Sequence, residues 1–167
     1  TGSADWLVGT DSQNLLYGQG GNDTISGNGG NDLIDGGEGN DSLLGDAGND
    51  TIYGQGGNDT ISGGANNDYL RGHAGNDLMY GDAGNDSMYG DSGTDWLYAG
   101  TGNNKLVGGT ESDYLYAKNG GIGDLIFGDN ENGTGSNGAF DIVVADRIFL
   151  AGIFHYDTVI GAESITY

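Results

Sequence analysis

Aspartates recur every nine residues along most of this chain: Asp23, Asp32, Asp41, Asp50, Asp59, Asp68, Asp77, Asp86 and Asp95, then Asp113 after Asn104 has taken one place. Asp5 and Asn14 precede them in the same phase. Carboxylates are hard oxygen donors, and the chain has no cysteine and only two histidines to make a softer site. The chemistry that such a series suits is the binding of hard cations. Nothing in it resembles a set of nucleophile, base and acid.

The aspartates belong to a longer pattern. Twelve unbroken nonapeptides run from Gly9 to Tyr116, each close to Gly-x-x-Gly-Asn-Asp-x-Leu/Ile-x. A fixed short period of this kind predicts a solenoid of stacked units. In Gly18–Ser26 the first six residues carry turn chemistry, because glycine admits positive φ and asparagine tolerates it. The last three, Thr24-Ile25-Ser26, alternate out, in, out and predict a very short strand with one buried side chain. The absence of proline fits continuous backbone ladders.

Two units make a flattened coil of 18 residues, so alternate units stack on opposite sides. The expected fold is all-β, a parallel β-roll. Its expected core is one aliphatic per unit, namely Leu16, Ile25, Ile34, Leu43, Ile52, Ile61, Leu70, Met79, Met88, Leu97, Leu106 and Leu115. That is a thin core for so much ordered chain.

Stacked strands lie about 4.8 Å apart, which aligns the sixth-position residues in two files. One is Asp5, Asp23, Asp41, Asp59, Asp77, Asp95 and Asp113; the other is Asn14, Asp32, Asp50, Asp68, Asp86 and Asn104. Neighbouring carboxylates at that spacing repel by about 1 kcal/mol in water and about 3 to 4 kcal/mol at an effective dielectric of 20. A divalent cation between successive coils turns this repulsion into attraction. Flexible coordination by six to eight oxygens suits Ca²⁺ better than Mg²⁺, and the number of gaps predicts roughly ten ions.

These nonapeptides resemble GGxGxDxUx, the unit of the RTX (repeats-in-toxin) hemolysin-type calcium-binding repeat family. The resemblance covers Thr1 to about Phe127, with Asp5-Trp6-Leu7-Val8 similar to the end of a further unit and Asp124-Leu125-Ile126-Phe127 to one displaced by two residues. It implies type I secretion, folding on meeting extracellular calcium, and ligation by the sixth-position residues together with turn carbonyls. The implied metal residues are the two files above and Asp124. Asn14 and Asn104 lack the charge, Asn66 and Glu111 replace the fourth-position glycine, and Ala99 the first, so sites touching them are expected to be weaker or empty.

With 25 acidic against 4 basic residues the formal charge is -21, which repels nucleic acid and anionic lipid and attracts cations. No signal segment or apolar run long enough to span a bilayer is present, so no membrane insertion is expected. The first residue is Thr1 rather than Met, which reads as a processed product or a fragment. Gly133–Gly138 matches GxGxxG without a following helix pattern, and Gly90-Asp91-Ser92-Gly93 lies in repeat register, so neither reads as a site. His155 and Asp157 are too few for a zinc cluster. No catalytic constellation is expected.

Outward positions on one face bring Leu78, Trp96 and Tyr114 into one row, with Tyr80, Tyr98 and Tyr116 beside it. These form either a contact surface for protein, carbohydrate or another copy, or a ladder that stiffens the roll. Residues 1–127 read as the calcium roll and 128–167, with a loop at Glu131–Gly138 and apolar runs after it, as a capping or docking segment. The expected protein is secreted or held at the cell surface, and serves as a structural, adhesive or self-assembling module. Two alternatives stand beside it: the non-catalytic C-terminal module of a secreted protease, lipase or alginate epimerase, and a calcium-dependent ice-binding domain.

Overall fold

A computed structural model of the protein describes residues 2–117, 124–128, 142–145, 149–150 and 158–160. Every strand in it pairs parallel with its neighbours, and the described residues contain no helix. A nine-stranded sheet stacks β1 (Trp6–Val8), β3 (Thr24–Ser26), β5 (Ser42–Ala47), β7 (Thr60–Ala65), β9 (Leu78–Ala83), β11 (Trp96–Tyr98), β13 (Tyr114–Ala117), β15 (Ile142–Ala145) and β17 (Thr158–Ile160). The opposing eight-stranded sheet stacks β2 (Leu15–Gly20), β4 (Leu33–Glu38), β6 (Thr51–Gly56), β8 (Tyr69–Ala74), β10 (Ser87–Ser92), β12 (Lys105–Thr110), β14 (Leu125–Phe127) and β16 (Phe149–Leu150). Alternate nonapeptides therefore fall on opposite sheets, and partners such as Ile34 and Ile52 are one 18-residue coil apart.

The core follows the period. Ile25, Ile34, Leu43, Ile52, Ile61, Leu70, Met79, Met88, Leu97, Leu106 and Leu115 are fully buried, in single file along each sheet. Leu16 departs from expectation: it is only partly buried, because β2 is the end strand of its sheet and covers one neighbour rather than two. Ile126, in the displaced unit, and Val143, beyond the recognisable repeats, join the same core.

The strands are longer than the three residues expected. Most span six, because the first three residues of the next nonapeptide stay in the ladder, as in the pairing of Gln19 with Gly37 and of Gly20 with Glu38. The chain bends within the strand at the second residue of the unit, which takes a left-handed conformation even when it is not glycine (Gln19 φ 74°, Gln55 φ 80°, His73 φ 76°, Asp91 φ 75°). The fourth residue is left-handed too. Asn66 and Glu111 adopt this conformation (φ 83° and 72°), so the turn geometry survives both replacements.

The 18-residue register ends after β12 in one sheet and after β13 in the other. Lys105 pairs with Leu125 and Tyr114 with Ile142, so chain lengths change between coils while the sheets continue. The expected interruption at Ala117–Gly123 and the loops at Gly133–Gly138 and Glu131–Gly138 lie wholly or mostly outside the described residues, as do His155 and Asp157.

Candidate metal-binding turns

Each sixth-position aspartate enters the turn just before its strand, and its two oxygens do different work. The Oδ1 atom accepts the backbone N–H of the sixth-position residue one coil earlier. Asp23 donates to Asp41 at 2.7 Å, Asp41 to Asp59 at 2.8 Å, Asp59 to Asp77 at 2.8 Å, and Asp77 to Asp95 at 2.8 Å. In the other file Asp32 donates to Asp50 and Asp50 to Asp68, both at 2.8 Å, and Asp68 to Asp86 at 2.9 Å. The expected files are thus physically continuous. Asp5 enters the first at its start, where its N–H donates to Asp23, and Asp113 accepts from Asp95 at 2.9 Å. The second file runs on past Asn104, whose N–H donates to Asp124 at 2.7 Å, despite the two extra residues between them.

The Oδ2 atoms of Asp23, Asp32, Asp41, Asp50, Asp59, Asp68, Asp77, Asp86 and Asp95 are buried and have no hydrogen-bond donor. A buried carboxylate oxygen without a partner is costly unless something positive meets it. Its position explains the first-position glycine. A Cβ built on Gly54 would fall within 3.0 Å of Asp59 Oδ2 and of the Gly72 carbonyl oxygen one coil later. The same pair of oxygens crowds Gly18, Gly36 and Gly90. Glycine is needed here for space rather than for its backbone angle, since these residues do not have positive φ.

Burial also raises the pKa values of these groups. It pushes Asp59, Asp68 and Asp95 up to about 7, and Asp77 and Asp86 to about 6. The backbone N–H bond opposes the shift in each case, and neighbouring carboxylates add to it. Asp41 and Asp50 shift upward for the same reasons.

The turns therefore hold rows of buried carboxylate oxygens with no donor of their own, beside backbone carbonyl oxygens, which fits a hard cation such as Ca²⁺. Among the described residues no three acidic or histidine side chains converge on one point. The remaining ligands for a cation would have to come from the backbone carbonyls beside each Oδ2, of which the first-position carbonyl is one. Asn14 differs from the rest: its side-chain oxygen accepts the N–H of Thr10 in its own turn, and its Nδ2 donates to Thr10 Oγ1 at 3.2 Å.

Three arrangements were not legible in advance. Fifth-position asparagines form a second ladder on each turn, in which Asn40 donates its N–H to Asn22 Oδ1 (3.0 Å), Asn58 to Asn40 (2.8 Å) and Asn76 to Asn58 (2.7 Å). It runs opposite in sense to the aspartate ladder, since each asparagine accepts from the coil after it. On the sheet faces, ninth-position side chains bond second-position ones diagonally across the strands: Ser26 to Asp46 at 2.7 Å, Ser62 to Asp82 at 2.6 Å, and Arg71 to both oxygens of Asp91. The available signal was polar complementarity at an offset of one coil plus two residues. Third, His73 Nδ1 stands 3.5 Å from Asp91, but Ser92 Oγ donates to the His73 backbone carbonyl rather than to the ring, so no nucleophile is activated there.

The aromatic rows lie on the nine-stranded sheet and are half-buried. Trp96 stacks on Tyr114 (5.0 Å, 3°), Tyr80 on Tyr98 (5.1 Å, 15°) and Tyr98 on Tyr116 (4.7 Å, 5°), with Leu78 in register beside Trp96. Stacked this way, the rings spend their faces on one another and turn their edges outward.

A sequence-family model described as the RTX calcium-binding nonapeptide repeat (4 copies) matches the chain at residues 1–34, 26–61, 35–70, 53–88, 62–97 and 89–121. No curated protein sequence matches it.

Proposed function

Because the chain belongs to the RTX calcium-binding nonapeptide-repeat family, we propose that it acts outside the cell as a structural module that is disordered or loose without calcium and becomes a rigid roll with it. The buried Oδ2 rows carry this reading. They oppose folding while bare and favour it once a divalent cation lies between successive coils. The residues that would hold the ions are the sixth-position aspartates of both files with Asp124, assisted by turn carbonyls, and roughly ten ions would fill the gaps. Bound calcium supplies positive charge where each Oδ2 lacks a donor; the chain's own part is to aim that oxygen through the Oδ1 bond and to clear room with the first-position glycine.

A scaffold, surface-layer or adhesive role agrees with a long, acidic, laterally reinforced rod. In this reading residues 128–167 close its C-terminal end, and the paired strands β15 and β17 support it by prolonging the same sheet. The aromatic edges of Trp96, Tyr98, Tyr114 and Tyr116 are the candidate contact with another copy, a protein or a carbohydrate.

Far-UV circular dichroism during a calcium titration tests the reading. The β signal should rise cooperatively with calcium, fall on chelation with EDTA, and respond little to magnesium. Equal order after exhaustive chelation would refute it.

A further inference from the structure

One unit departs at its first and sixth positions together. Ala99 stands where every other unit has a glycine in first position, and Asn104 where every other unit but the first, which has Asn14, has aspartate in sixth. The neighbouring units show how these two positions meet. A Cβ on Gly81, Gly90 or Gly108 would come within 3.0 Å of Oδ2 of the unit's own aspartate, closer than real Cβ atoms stand. Ala99 carries that methyl, fully buried. A side chain at 104 must therefore sit displaced from the pose that the neighbouring aspartates share, as the isosteric amide of Asn104 does.

Asn104 keeps the half of the aspartate's work that the methyl permits. Its Oδ1 accepts the Asp86 N–H at 2.8 Å, so the ladder between coils is unbroken. Because that bond identifies the oxygen, the other atom of the amide is Nδ2, which is buried and has no acceptor. The residue is only 2% exposed. Where the turns of Asp86 and Asp95 have an oxygen seeking positive charge, this one has a methyl, which takes up space, and an N–H donor, which repels a cation.

We propose that Ala99 and Asn104 form a matched pair that deletes cation binding at this turn while preserving the coil, so that the continuous loading of the second file ends at Asp86. The first file has no such break from Asp23 to Asp113. The proposal rests on the reading that the sixth-position carboxylates hold calcium, and it adds that the methyl, not only the missing charge, closes the site.

The test is calcium stoichiometry by native mass spectrometry at saturating calcium, on the full chain and on A99G, N104D and A99G/N104D. Both single variants should keep the parent count: N104D restores charge but leaves the carboxylate displaced by the methyl, and A99G frees the pose but supplies no charge. The double variant should gain at least one ion. A gain in N104D alone, or none in the folded double variant, overturns the proposal. Should circular dichroism show that the double variant does not fold, the reverse exchange in an intact unit, G72A/D77N, decides: it should fold in calcium with at least one ion fewer, and failure to fold or a full count overturns the pairing. Failure of the underlying reading looks different, because the parent chain would then bind no calcium at all.

Discussion

Asp77 belongs to two coils at once: its Oδ1 accepts the Asp59 backbone N–H at 2.8 Å from the coil before, while its Oδ2 turns back over Gly72 at the start of its own unit. Separating the two oxygens separates two contributions. D77N retains an acceptor for the Asp59 N–H but loses the charge; D77A loses both and strands a buried donor, which costs about 1 to 3 kcal/mol. In calcium, D77N should bind fewer ions and D77A should be less stable than D77N by about that amount. In EDTA, any residual fold should be more stable in D77N than in the parent, since no charge is buried. Denaturant midpoints with and without calcium check both signs.

The same burial sets a pH dependence. Asp59, Asp68 and Asp95 have folded-state values raised to about 7 from an ordinary 3.8, so the metal-free native chain holds more protons than the unfolded one across that window. Stability must then fall as pH rises. The metal-free roll should be most ordered below about pH 4 and lose that order progressively to about pH 7. Calcium requires the ionised carboxylates, so its apparent affinity should move the other way and strengthen over the same range. Circular dichroism against pH, run in EDTA and in calcium, should give slopes of opposite sign. Parallel slopes would contradict the assignment of these groups.

Gly54 tests the need for space. Its Cβ would meet Asp59 Oδ2 and the Gly72 carbonyl, and its φ is not positive, so alanine adds crowding without backbone strain. G54A should destabilise the calcium-loaded roll by about 1 to 3 kcal/mol and weaken calcium binding by displacing the carboxylate. Unchanged calcium titration in G54A would mean that the turn relaxes freely around the methyl.

Much of this molecule was legible in the sequence because its period repeats one physical requirement. An aliphatic such as Ile52 every nine residues must be buried, and the aspartate two places before it must enter a turn. What the period does not state is how the side chain divides its atoms. Nothing in the letters of Asp77 separates the oxygen that bonds a neighbouring N–H from the one that faces a cation. The asparagine ladder was obscured for a related reason: Asn40 and Asn58 look like a solvent-facing array until the Asn58 backbone N–H is seen donating to the Asn40 side-chain oxygen. The Arg71 and Asp91 pair needs the coil length plus the diagonal across it. Past β13 the spacing itself changes, so Val143 lies in the core without any repeat to announce it.

Core deletion tests the single-file packing. Ile52 is fully buried, and its register neighbours are Ile34 and Leu70. No second layer stands ready to collapse into the space. I52A should therefore cost about 2 to 5 kcal/mol in calcium, toward the upper part of that range. The calcium midpoint should shift upward as well, because ions and core stabilise the same folded state. A loss near the value for a solvent-facing residue would show that the two sheets close over the gap.

Tyr98 decides what the aromatic rows do, since its ring is stacked on both sides, against Tyr80 at 5.1 Å and Tyr116 at 4.7 Å. Each such pair is worth about 0.5 to 1.5 kcal/mol beyond burial. If the row stiffens the roll, Y98A should lower the thermal midpoint in calcium and reduce the near-UV aromatic signal, while Y98F, which keeps both stacks, should match the parent in midpoint. If the outward edges instead serve contact with a partner, Y98A should leave the isolated roll's midpoint nearly unchanged and reduce association in light scattering. The two readings thus differ in which measurement moves.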